Sequence, residues 1–477
     1  MLLALVLLPI AMGALAFAAP SPRLRTYLVV TGAALHAALA VFVACSPPPP
    51  MFDRWLVLEP LGRLIVPLLS VQFLLCALYV PAYLAARPER QRQNRVFCAC
   101  LLALGGTMSL VAVSHHLGLM WVGIEASALV SAPLIYFYRT PRSLEATWKY
   151  LLIGSVGVAF ALYGSFFLAS SALHGGQVSS LLFEDLVRAA PHLSKPWLHA
   201  AFVILLIGYG TKIGLAPMHT WKPDVYGEAP AVVGAVLAGG LSTCALTALM
   251  RFLQICTAAG DGQLARSLLV VFGLLSMGVA AAFMIGQRDY KRMLAYSSVE
   301  HMGIIVFGLG IGGLATYGAL LHILGNSFGK GVLFMTAGNL HRGYGSKLAA
   351  DVSGAIHRFP ASAGLFLAGF FAITGSPPFG LFLSELAIAR GAFASGSYLG
   401  AALFLALLAT VFIGMGAVVI SVVQGPRGAE GPREREQRLT LVPPALCLAV
   451  VLLLGVYVPP WLDSALREAA AVVEMRP

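Results

Sequence analysis

Charge is scarce in this chain. Asp, Glu, Lys and Arg make up 11% of its 477 residues, while 59% are hydrophobic. A soluble domain carries about 25% charged and roughly 45–50% apolar residues, so a soluble enzyme is excluded. The mean hydropathy of +0.85 points the same way, to a polytopic membrane protein. Cysteine motifs are missing too. The seven cysteines (Cys45, Cys76, Cys98, Cys100, Cys244, Cys256 and Cys447) form no CxxC pair, and the Cys98/Cys100 spacing suits neither zinc nor an iron–sulfur cluster. They read as small apolar fillers, so no redox centre or metal is expected on this chain. There is no Gly-rich phosphate loop and no basic-aromatic stripe, and nothing resembles a hydrolytic triad, so no catalytic centre and no nucleic-acid partner are expected. Acidic residues are outnumbered, 20 against 31 Lys and Arg, a formal charge of +11. In a membrane protein that excess reports basic cytoplasmic loops. The first apolar run, Met1 to Ala19, lacks the basic n-region of a signal peptide and reads as a retained first helix.

What is abundant is long apolar sequence. A span needs about 20 mostly apolar residues. About fourteen runs qualify, near 2–19, 27–45, 63–85, 96–114, 117–138, 147–173, 198–217, 231–257, 267–286, 293–312, 315–340, 361–390, 400–423 and 440–459. Proline and glycine punctuate the gaps, as at Pro47 to Pro50 and Gly425-Pro426. The whole chain, 1–477, reads as one all-α membrane domain. Within it, 1–90 holds three N-terminal helices, 91–257 and 262–423 two repeats, and 424–477 the last helix and a short tail. Assigning Lys and Arg to the connections gives 20 in the odd ones and 7 in the even ones. Positive charge stays in the cytoplasm, which puts the odd connections there and both termini outside. Lys222 is counted among the loop charges of the connection between spans seven and eight.

The informative charges lie inside spans, where each costs at least about 2.5–3.5 kcal/mol on insertion scales. They are Glu125, Lys212, Glu300, Lys330 and Glu385, with His301 and His322 beside them. Glu125 falls about eight residues, roughly 12 Å, into span five. Lys212 stands among Gly208, Gly210, Gly214 and Pro217, which break span seven; Gly375-Ser-Pro377-Pro378 breaks span twelve just before Glu385. Broken helices at membrane depth are tolerated inside protein or beside a water cavity, where a proton needs them. Breaks five spans apart imply two five-helix repeats, spans 4–8 and 9–13, of inverted topology. A lysine in a low-dielectric site gives up its proton readily and a nearby carboxylate opposes this, so moving the carboxylate switches the lysine. Histidine suits the relay between such groups. Lys149, Glu145, Arg251 and Arg390 lie near span ends and read as snorkelling side chains. His115, His116, His219 and His341 read as interfacial or packing residues.

The stretch Pro217-Met-His-Thr-Trp-Lys-Pro-Asp-Val-Tyr-Gly-Glu-Ala-Pro230, followed by Leu237-Ala-Gly-Gly, resembles the signature of the antiporter-like subunits of respiratory complex I and Mrp antiporters. Asp289-Tyr-Lys-Arg-Met-Leu-Ala-Tyr-Ser-Ser298 and Glu300-His-Met-Gly303 fit the same superfamily, and Ser143-Leu-Glu-Ala-Thr-Trp-Lys-Tyr150 and Ile124-Glu-Ala-Ser-Ala-Leu-Val-Ser-Ala-Pro133 look most like hydrogenase-4 component F. That is the antiporter-like subunit of membrane-bound group 4 nickel–iron hydrogenases and formate hydrogenlyases. The resemblance covers residues 60–460. It implies that Glu125 and Lys212 are the coupling pair, His322 and Lys330 the helix-eleven relay, and Glu385 the terminal charge on helix twelve. The sequence departs from the family at one place: Thr243 stands where relatives often have a connecting lysine on helix eight. That leaves a gap between Lys212 and Lys330, which water could bridge through Ser242 and Thr243.

The resemblance implies a proton-translocating subunit, with Na⁺ the alternative ion, in a bacterial or archaeal cytoplasmic membrane. It implies as partners further membrane subunits and a peripheral cytoplasmic redox arm that carries nickel–iron and iron–sulfur centres. The rival expectations are a subunit of a non-redox Mrp-like antiporter or the membrane partner of an inorganic-carbon uptake complex, and a scaffold whose channel is vestigial.

Overall fold

Within a bilayer every backbone N–H and C=O must find its partner inside the protein, and long apolar runs satisfy this as helices. The computed structural model describes residues 1–177, 180–426 and 434–475, and its named elements are helical. In chain order they are α1 (Leu2–Ala18), α2 (Pro22–Cys45), α3 (Pro60–Ala85), α4 (Gln91–Val113), α5 (Leu117–Ile135), α6 (Pro141–His174) and the short α7 (Phe183–Ala189). Next come α8 (Lys195–Ile213), α9 (Trp221–Glu228), α10 (Ala231–Val236), α11 (Ser242–Ala258), α12 (Gly262–Met284), α13 (Tyr290–Ile311) and α14 (Leu314–Tyr344). The last are α15 (Ala355–Arg358), α16 (Pro360–Ile373), α17 (Gly380–Ala394), α18 (Tyr398–Gln424), α19 (Arg438–Val456) and α20 (Pro460–Val473). Proline opens several of them, and Thr140 with Ser143 forms a reciprocal cap at the start of α6.

Eleven of these segments among the described residues are long and apolar enough to cross a membrane. The other three expected spans are α1, the 31-residue α14, and the pair α16 and α17 in series. The helix α14 owes its lower hydropathy to polar residues at one helical spacing, His322, Asn326 and Lys330. Every expected run is therefore a helix or a pair of half-helices. The basic connection before α19 includes Arg427 and Arg433, which lie outside the described residues.

The connections sort onto two faces. Residues of three odd connections, Arg142, Arg288 and Lys347, line one cavity of about 530 Å³ together with Asp224 and Glu228 of α9. On the even face Arg54 pairs with Glu184 at 3.0 Å, and His199 with Asp261. Arg266, at the start of α12, pairs with Glu474 at 2.9 Å. Glu474 also accepts hydrogen bonds from the Gly313 N–H and Thr316, fastening the end of α20 over α14.

Also at the even face lies a cluster that overturns one expectation. Arg251 is not a snorkelling side chain; it is fully buried. Its Nε donates to Glu59 Oε1 at 2.9 Å, and its other nitrogens donate to the Ala112 and Ser114 carbonyls. His115 Nε2 lies 3.3 Å from the same Glu59 oxygen. Burial alone would push the Glu59 carboxyl up, but Arg251 and His115 outweigh it and hold it down at about 2.

Spans seven and twelve are both broken. The helix α8 ends at Gly214, which is left-handed (φ 77°), and the chain passes the cis Ala216–Pro217 bond before α9. After α16 the chain turns at left-handed Gly375 (φ 66°) and passes cis Pro377–Pro378 before α17. Glycine takes the left-handed conformation freely, and at both turns a Cβ would strike a neighbouring side chain. Because five spans separate the two breaks, the broken helices run in opposite directions. Span eight is interrupted more gently, by one π turn at Leu237–Leu241 between α10 and α11. Such turns re-aim backbone groups, and here the Gly239 carbonyl accepts from both Thr243 Oγ1 (2.6 Å) and Ser327 Oγ of α14 (3.0 Å).

Candidate ion-translocation site

Ending α8 at Ile213, one residue after Lys212, leaves that lysine in the last turn, where carbonyls lack helical partners and favour a cation. Lys212 is 3% exposed, and its Nζ lies 3.8 Å from Glu125 Oε2 of α5. That is an ion pair too long for a hydrogen bond. Ser155 Oγ donates to the other Glu125 oxygen at 3.3 Å. The Tyr150 ring centroid lies 5.6 Å from Lys212 Nζ, and Tyr150 shares a 2.7 Å hydrogen bond with Ser131. The Lys212 amine rests against Gly154 of α6, with no room there for a Cβ. Neither Lys212 Nζ nor Glu125 Oε2 has a hydrogen-bond partner, so the pair is close and loosely held, with the lysine buried and the carboxylate partly exposed.

The second group lies among α13, α14 and α17. Lys330, fully buried, donates to Ser297 Oγ at 2.7 Å. His301 Nδ1 and His322 Nε2 are 2.8 Å apart, and His322 Nδ1 is 2.8 Å from Ser384 Oγ. Glu300, one residue before His301 on α13, is 4% exposed. Glu385 Oε1 has no partner, and its carboxylate packs into the turn at Gly375, where a Cβ would lie 1.9 Å from Oε2. The structure thus gathers Glu300, His301, His322, Lys330 and Glu385 into one set and keeps Glu125 with Lys212. Pro217, Pro377 and Pro378 stand at the two breaks.

Ser242 and Thr243 take no part in either group. Both hydroxyls donate to carbonyls of their own span, Ser242 Oγ to Leu237 O at 3.3 Å and Thr243 Oγ1 to Gly239 O at 2.6 Å. Gly325-Asn-Ser-Phe-Gly329 has the spelling of a nucleophile elbow, which needs a strand-to-helix turn. Here it sits in mid-α14, with Ser327 donating to Ile323 O and Gly239 O.

Four residues escaped the sequence reading. Ser297 and Ser384 are ordinary serines until the fold puts them against Lys330 and His322. Asn326 is 1% exposed with both amide atoms unpartnered, midway between His322 and Lys330. The fourth corrects the count of loop charges: Lys222 is no loop residue but lies in the first turn of α9, fully buried. Its signal was present, a lysine directly after a helix break.

Comparison with known proteins fits this geometry. The transmembrane family described as "NADH:quinone oxidoreductase/Mrp antiporter, TM" matches residues 114–412. A hydrogenase-4 component F homolog of Methylacidiphilum infernorum is 38% identical over 360 residues, 74% of either chain. NADH-quinone oxidoreductase subunit N of Desulforudis audaxviator is 32% identical over 422 residues, 86% of this chain and 81% of that one. The fold matches a chain in the membrane-bound sulfane sulfur reductase, an archaeal respiratory membrane complex, with a TM-score of 0.88 at 20% identity, covering 99% and 97% of the two chains. The chain belongs to the NADH:quinone oxidoreductase/Mrp antiporter transmembrane family.

Proposed function

We propose, from that family membership, that this antiporter-like subunit moves protons across the cytoplasmic membrane within a multisubunit complex driven by a redox arm. The carrying observation is the Lys212–Glu125 pair at the end of a half-helix, its lysine buried, 3.8 Å apart with no hydrogen bond between the two charges. Lys212 is the carrier and Glu125 its modulator: with the carboxylate close the ammonium holds its proton, and with the carboxylate withdrawn it releases it. His322 and Lys330 relay, with Glu300 and His301 beside them, and Glu385 is the acceptor on the outlet side. Lysine, histidine and carboxyl groups exchange protons directly, which favours H⁺ over Na⁺.

The positive-inside bias puts the cavity lined by Arg142, Asp224 and Lys347 on the cytoplasmic side, where it would serve as the proton intake. Both termini then face outward. The relatives named for hydrogenase and NADH-quinone oxidoreductase support a redox partner. Nickel–iron and iron–sulfur centres would sit on partner subunits, a reading supported by the names of the hydrogenase and NADH-quinone oxidoreductase relatives. The family description also takes in Mrp antiporters, which keeps a non-redox cation/proton assembly as the second reading.

Purification of the tagged chain in mild detergent separates the two. Co-purifying nickel–iron or iron–sulfur proteins, with both metals measured, support the redox assembly. A small membrane or zinc-bearing partner without them supports the antiporter or carbon-uptake assembly. In vesicles holding the assembled complex, Lys212→Ala should abolish coupled proton movement while leaving assembly intact. Unchanged transport in that variant would sink the carrier assignment.

A further inference from the structure

Helix eight brings no charge between Lys212 and Lys330, yet the interior between the two groups is not empty of it. Lys222 is 0% exposed and its Nζ has no hydrogen-bond partner. The amine lies 6.0 Å from the Trp221 ring centroid and 5.9 Å from that of Tyr226, an aromatic cradle that tolerates a cation without pairing it. It folds back on the break in span seven. A Cβ at Gly214 would lie 2.2 Å from Lys222 Cε and 3.0 Å from its Nζ. Gly214 caps α8, so the amine sits at the negative end of the half-helix that carries Lys212.

The short helix α9 also joins the two halves. On one side Trp221 lies tilted against Tyr150 of α6, ring centroids 5.2 Å apart, and Tyr150 is the ring beneath Lys212. On the other, Tyr226 meets Phe334 of α14 at 5.5 Å, one helical turn beyond Lys330. The two breaks show the same device: a left-handed glycine leaves room for a charged side chain from the following half-helix, Lys222 at Gly214 and Glu385 at Gly375.

We propose that Lys222 is the proton-carrying residue that joins the two halves of the line, standing between Lys212 and Lys330 in place of a helix-eight lysine. This rests on the proton-translocating reading above. An unpartnered buried amine costs stability, so no structural need explains it. Protonated, Lys222 is held by the α8 terminus and the two rings; it passes its proton to Lys330 and takes the next from Lys212, and no bond other than N–H is made or broken.

The test compares Lys222→Met with Lys212→Ala in vesicles holding the assembled complex, with assembly and thermal midpoint read on the same samples. Methionine matches the stem of lysine and removes only the amine. A proton carrier predicts intact assembly, an unchanged or raised midpoint, and proton movement down by about tenfold or more. A structural lysine predicts the reverse, a lowered midpoint or failed assembly, and that result overturns the proposal. Transport kept in Lys222→Met but lost in Lys212→Ala overturns this inference and leaves the function standing. Transport kept in both overturns the function itself. Recovery of transport on adding Thr243→Lys to Lys222→Met would support the bridging role directly.

Discussion

The two charged groups solve the problem of buried charge in different ways. In the first half, one carboxylate faces one lysine at 3.8 Å, and the Glu125 side chain is 22% exposed, within reach of whatever packs against α5. In the second half, Lys330, His301 and His322 are at most 1% exposed and tied to one another or to serine hydroxyls at 2.7–2.8 Å. A pair with a loose geometry and an outward edge can be moved by a neighbour. A chain of short hydrogen bonds among neutral and charged groups passes protons but offers no such handle. On the proposed function, the first half would act as a switch and the second as a wire.

Variants can break or sharpen that contrast. The largest expected effect falls outside both charged groups and gives the baseline for charge that is purely structural. Arg251→Met leaves Glu59 buried without its cation and should cost about 3–5 kcal/mol of stability, read as a lower thermal midpoint in detergent. Transport per assembled complex should not change; a specific transport loss would make this cluster part of the path. Glu59 also has a pH signature. Its folded value of about 2 lies below the ordinary value near 4.3, so its contribution is complete above about pH 4.3 and is lost as pH falls toward 2. The Arg251→Met protein should lack that acid-side loss.

Next in size is Lys212→Ala, for which a single switch predicts about a hundredfold loss of coupled proton movement. Smaller still is His322→Asn. A wire with several members and room for water should lose only about threefold to tenfold, since Ser384, His301 and Asn326 still line it. If His322→Asn matched Lys212→Ala, the second half would be a switch as well, and the contrast drawn here would fall.

How much of this was legible in the sequence follows from the physics of each feature. Fourteen spans could be read because the bilayer imposes hydropathy on every one, and glycine and proline spell out the breaks at Gly214 and Gly375. Charges inside spans announce themselves by their cost. The helix α9 was invisible because Trp221–Glu228 mixes Lys, Pro, Asp and Glu over eight residues, a composition that reads as loop. Lys222 was counted as a surface charge for that reason. Arg251 was misread because its carboxylate lies 192 residues away in sequence. The π turn at Leu237–Leu241 has no spelling of its own, and Asn326 drew no notice in a helix already marked by His322 and Lys330.

Two arginines on the even face differ in a way that matters during synthesis. When the ribosome has made Arg251, its partner Glu59 already exists, and the clamp can close as span eight enters the membrane. Arg266 comes soon after, but its carboxylate, Glu474, is 208 residues further on. For the time taken to make the whole second half, the start of α12 must hold a cation that has not yet met its anion. The fastening of α20 is therefore among the last steps of assembly, and the second repeat is locked only after every one of its helices is in place.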